Sequence, residues 1–93
     1  MPHSYRVTLC PQDGHSPLEF DVTNHDDILQ LVERIRASAI LPEDEAAACL
    51  VGLKLFGEVM LRHRTDPLFA DLFPHFGLFM KRLKAAVAGA AGA

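Results

Sequence analysis

The chain has 93 residues, enough for one small domain with its own core. A hydrophobic content of 49% excludes a disordered chain, and a net charge of -3 argues against a general nucleic-acid binder. That apolar share is high for so small a protein and leaves surface over for a partner.

Residues 4–10, SYRVTLC, alternate, with Tyr5, Val7 and Leu9 on one side. Residues 18–23, LEFDVT, alternate likewise, with Leu18, Phe20 and Val22 facing inward. Period two over β-branched and aromatic residues predicts half-buried strands. PQDGHSP between them carries an Asp-Gly turn signal, so the pair reads as a hairpin with a long loop. A lone hairpin is marginal in water, which predicts helices over its apolar face.

TNHDDI opens the first helix. Asn24 is its candidate cap and Asp27 follows three residues later, a weaker form of the capping box. Ile28, Leu31, Val32, Ile35 and Ala39 share one face of a helix over residues 25–37. LPEDE then starts a second helix, with Pro42 in the first turn and three acids after it. It runs to about Arg64, where TDP ends it. Asp66-Pro67 opens a short helical turn. A last helix around Pro74 presents Leu72, Phe76, Phe79, Met80, Leu83 and Val87 as a stripe. The fold class is therefore α+β. An N-terminal antiparallel β-hairpin packs on a layer of three to four helices, in the order β-β-α-α-(short α)-α. Residues 1–88 form this single domain and residues 89–93 a flexible Ala/Gly tail.

The second helix carries the most specific pattern, VGLKLFGEVMLRHR at residues 51–64. At about 100° per residue, its charges from Glu43 to Arg62, Glu45 excepted, fall on one stripe about 100° wide. The rest of the circumference is apolar, which makes this the central helix. A solvated Lys/Glu pair four apart contributes about 0.3–0.5 kcal/mol, whereas burial costs several kcal/mol per ion. The stripe is therefore read as a wet ladder, Lys54–Glu58–Arg62. Gly52 and Gly57 each cost about 1 kcal/mol inside a helix. Both lie on the apolar arc and mark a candidate close-packing or interface surface.

Charge is uneven along the chain. Three arginines and nine acids precede Val51, and six basic and three acidic residues follow. The preferred reading is that the halves complement each other within the fold; the other is a polar surface that selects a partner. Cys10 and Cys49 lack CxxC spacing and are expected as free, buried thiols in a reducing compartment. MPHSYRV lacks signal-peptide character, and the uncharged apolar stretch from Ala46 to Leu53 is far too short for a bilayer. A cytoplasmic protein without membrane association is the expectation.

Phosphate-loop, HExxH, paired CxxC and nucleophile-elbow motifs are absent from the sequence. His25, Asp26 and Asp27 are candidate metal ligands, although helix capping already explains the acids. His63 ends the second helix, where a cap or interface role outweighs acid–base catalysis. Phe69, Phe73, Phe76 and Phe79 could line an apolar pocket, but core packing explains them as well.

The segments YRVTL, LEFDVTNHDDI, VERI, DEAAA, VGLKLFGEVML and DPLFADLFPHFGLFMKRLK, collinear over residues 5–84, resemble a family of small bacterial proteins known only as a domain of unknown function. The resemblance implies a bacterial, cytosolic origin and carries no activity, cofactor or site residue with it. The leading expectation is a binding or interaction module without catalytic activity or cofactor, binding an unknown protein partner or forming a homodimer through helix surface. Its candidate functional surface is Lys54, Glu58, Arg62 and His63. The alternative is a small enzyme or ligand-binding protein with a pocket between hairpin and helices, using Lys54, Glu58 or His63.

Overall fold

The computed structural model describes residues 2–92 of the chain. Two antiparallel strands, β1 (His3–Leu9) and β2 (Leu18–Asn24), form the predicted hairpin. The register pairs Tyr5 with Val22, Val7 with Phe20 and Leu9 with Leu18, so the apolar residues of both strands share one face. Arg6 and Asp21 pair on the other face at 3.0 Å, both well exposed, a contact contributing about 0–1 kcal/mol. β1 stops at Leu9, leaving Cys10 an exposed thiol at the start of the loop, not the buried one expected.

Helix α1 (Ile28–Ser38) begins three residues later than the sequence suggests. Asp27, not Asn24, is its cap: Asp27 Oδ1 accepts from the Gln30 N–H at 3.1 Å. Tyr5 on β1 supports the same turn, its hydroxyl accepting from the Ile28 N–H at 2.9 Å. At the far end Ala39 has left the apolar face. It is exposed and adopts the left-handed conformation, φ 57°, while its N–H bonds Arg36 O.

Helix α2 (Glu43–Arg62) has three acids in its first turn, after Pro42, and Arg62 in its last. Helix α3 (Pro67–Ala70) is capped by Asp66, which accepts from the Leu68 N–H at 2.9 Å. Helix α4 (Leu72–Gly92) places Pro74 in its first turn, where a missing N–H leaves no bond unmade. The helix continues through the Ala/Gly segment assigned above to a flexible tail, in keeping with the high helix propensity of alanine. Ala93 lies outside the described residues.

The core lies between the helices. Ile28, Val32 and Ile35 of α1 meet Ala46 and Leu50 of α2, and Leu83 and Val87 of α4 close over them. Full burial of a side chain such as Ile35 stabilises by about 1.5–3 kcal/mol. On α4 the inward stripe is Phe73, Phe76, Met80, Leu83 and Val87, at alternating steps of three and four; Leu72 and Phe79 of the expected stripe are exposed. The hairpin meets the helical layer at one end only: Tyr5 packs on the core, while Leu9, Leu18 and Phe20 stay exposed. Among the described residues no helix is long and apolar enough to cross a membrane.

Ala39 offers a direct check on the backbone. A left-handed alanine costs about 1–2 kcal/mol, and glycine there returns part of it as unfolded-state entropy. Ala39→Gly is expected to raise the unfolding free energy by about 0.5–1 kcal/mol in a urea titration.

Candidate functional site

The chain must leave β2 and enter α1 within three residues, and Asn24 makes that turn. It is buried, 2% exposed. Its Oδ1 accepts from the Asp26 N–H at 2.9 Å, an Asx turn, and its Nδ2 donates to the carbonyl of Lys54 at 3.0 Å. Lys54 returns the contact: its ammonium donates to Asp26 Oδ2 at 2.6 Å. Both ends of the β2–α1 connection are thus fastened to one residue in the middle of α2.

This changes the reading of the charged stripe. Lys54, Glu58 and Arg62 do share one face, but only the Glu58–Arg62 step of the ladder forms, at 3.8 Å. Lys54 pairs instead with Asp26, and the connection lies over the stripe, leaving the Lys54 side chain 15% and the Glu58 side chain 22% exposed. His25 bridges the two carboxylates, with Nδ1 3.3 Å from Glu58 Oε2 and Nε2 3.5 Å from Asp26 Oδ2. A neutral imidazole has one N–H and can donate to one of them; an imidazolium donates to both. The result is a row of alternating groups, Lys54–Asp26–His25–Glu58–Arg62. The Lys54 hydrogen bond holds the Asp26 carboxyl below its ordinary value of 3.8, against the opposing effect of burial. The charges of Lys54, His25 and Lys84 add to the depression.

His63 does not join this row. It ends α2 and stacks on Phe69, with ring centroids 6.2 Å apart. The proposed metal set does not assemble either. Asp27 uses its carboxylate to cap α1, and among the described residues no three His, Cys, Asp or Glu side chains form a group able to hold a metal ion.

Two concavities flank the row. One, of about 270 Å³, lies between α2 and α4, floored by Leu53, Gly57, Phe73, Phe76 and Met80, with Lys54, Glu58 and Lys84 at its edge. Gly57 sets its floor: a Cβ there would come within 3.2 Å of Phe76 Cζ, so the glycine admits the ring against the helix. Gly52 has no such role. It is exposed and a Cβ there meets nothing within 4 Å, so the close approach inferred for both glycines belongs to Gly57 alone. The other concavity, about 570 Å³, is a groove between β2 and α2, lined by Phe20, Val22, Leu55, Phe56 and Val59 with Asp21 and Arg62 among its polar residues. Phe56 packs at a tilt against Phe69 and Phe76 yet remains 42% exposed, and Val59 45%. The apolar arc of α2 is therefore covered by α1 and, at Gly57, by Phe76 of α4, and it is bare at Phe56 and Val59 toward the outer hairpin.

A family model for a domain of unknown function with a solved structure, DUF3861, matches residues 3–85. A crystal structure of a protein of unknown function from Pectobacterium atrosepticum SCRI1043 is similar in sequence and fold, with 36% identity and a TM-score of 0.85. The match covers 91% of this chain and 99% of that one. No curated protein matches.

The Asp26–Lys54 pair can be measured by a double-mutant cycle with Asp26→Asn and Lys54→Met. The expected coupling at neutral pH is about 1–2 kcal/mol, as for a charge-assisted hydrogen bond with one side partly wet. Because folding lowers the Asp26 pKa, its contribution is full above the unfolded value of 3.8 and is lost as pH falls through the lower folded value. Acid titration of stability should show this component in the wild type and not in Asp26→Asn.

Proposed function

The chain belongs to the DUF3861 family, and we propose that it acts as a non-catalytic interaction module that self-associates through the groove between β2 and α2. The observation that carries this reading is the bare apolar surface there: Phe20 on the hairpin, Phe56 and Val59 on the helix, with exposed Leu9 and Leu18 farther out on the hairpin. Apolar surface gathered between two elements, in a chain with so few fully buried residues, is the usual mark of a contact with another molecule. A second copy suits the groove because Asp21 and Arg62 both line it, and a two-fold contact sets the acid of one copy against the arginine of the other.

A non-catalytic role is supported by how the polar row is engaged. The Lys54 ammonium is hydrogen-bonded to a carboxylate and Glu58 faces both Arg62 and His25. Groups so paired act as a clamp; a free amine or an unpaired carboxyl would suit nucleophilic or acid–base work better. His63, needed for the fuller version of a catalytic reading, lies with Phe69 instead. Two free thiols, one of them exposed, fit a reducing compartment such as the cytosol, and a bacterial origin accords with the Pectobacterium relative.

Sedimentation across the micromolar range tests the reading. The wild type is expected to be a dimer whose melting temperature rises with protein concentration. Phe20→Glu and Val59→Glu should each yield a folded monomer, with unchanged far-UV circular dichroism. A wild type that stays monomeric throughout, or variants that dimerise equally well, would overturn it.

A further inference from the structure

The cavity between α2 and α4 shares Asn24 and Glu58 with the self-association groove but differs from it in chemistry. We propose that the cavity between α2 and α4 binds a small organic anion, a carboxylate carried on a short apolar body. Its lining is largely apolar and aromatic, built by Leu53, Phe73, Phe76 and Met80, with the Phe76 ring seated against Gly57. Its edge is charged, and the charges are not equally available. Asp26 accepts from Lys54, and Glu58 lies within ion-pair distance of Arg62 and His25. The Lys84 ammonium makes no ion pair within 4.0 Å among the described residues, and Lys54 uses one of its three donors on Asp26. Both carboxylates keep open lone pairs, but each already stands in an ion pair, and among the described residues Lys84 is the lining charge without one; its ammonium calls for an anionic acceptor, beside a lining that calls for a hydrocarbon or aryl group.

Size narrows the class. At about 270 Å³ the cavity lies just below the range of drug-sized sites, so a ligand of about ten non-hydrogen atoms fits it. A head at Lys84 and a body along the Phe76 side of α4 would span it from edge to floor. This inference does not depend on self-association, since the groove faces β2 and the cavity faces α4.

Octanoate, kept below its micelle concentration, is a suitable probe, with 1-octanol and octylamine as tail-matched controls. In a nitrogen- and methyl-detected NMR titration, octanoate should give saturable shifts at Leu53, Gly57, Gly77 and Met80. The alcohol and the amine should bind about ten-fold more weakly, the loss expected for one charge-assisted contact. Lys84→Gln should weaken octanoate by a similar factor, leave 1-octanol unchanged and preserve the spectrum of the folded protein. The proposal is overturned by linear, unsaturated shifts, by equal affinity for all three probes, or by indifference to Lys84→Gln. Shifts confined to Phe20, Phe56 and Val59 would also overturn it, while leaving the self-association reading intact.

Discussion

The fold turns on one buried amide. Asn24 closes the hairpin, starts the turn into α1 and bonds the Lys54 carbonyl in the interior of α2. Burying such a group without partners costs about 1–3 kcal/mol, so its two hydrogen bonds decide whether the hairpin end can lie against the helices at all. A two-stranded sheet has little stability of its own. Here Tyr5 and Asn24 fasten its inner end, through Ile28 and Lys54 respectively, while its outer end projects with Leu9, Leu18 and Phe20 uncovered.

From this clamp follows the geometry of both concavities. The β2–α1 connection lies along the charged stripe of α2 and turns it into a polar ridge. On one side of the ridge the helix meets α4 and leaves the small cavity over Gly57; on the other it faces the hairpin and leaves the apolar groove. Asn24 and Glu58 border both. The clamp also explains part of the charge imbalance along the chain, because Lys54 from the basic half neutralises Asp26 from the acidic half. Glu43, Asp44 and Glu45 are exposed in the first turn of α2, where the helix dipole accommodates them.

Element order was legible because periodicity is local: strands at period two, helices near 3.6, and turns marked by Asp-Gly, Leu-Pro and Asp-Pro. The wheel also placed Lys54, Glu58 and Arg62 correctly on one face. What covers that face was not legible, since Asp26 lies 28 residues upstream of Lys54 and no spacing rule connects them. Tertiary structure also sets the start of α1. Asn24 and Asp27 are comparable caps in isolation, but Asn24 ends β2 opposite His3 and spends its Oδ1 on the Asp26 N–H, which leaves the cap to Asp27. Gly52 and Gly57 were likewise equivalent on the wheel until Phe76 distinguished them. The outer hairpin was read as covered because alternation says which side is apolar, not whether anything lies against it.

The central claim is that the Asn24 amide fastens the hairpin to α2. Its most direct test is the unfolding free energy of Asn24→Ala against the wild type. The account predicts a loss of about 2–3 kcal/mol, from two hydrogen bonds removed and the half-buried turn at Asp26 left unsupported. A change within about 0.5 kcal/mol, the usual range for an unimportant surface position, would contradict it.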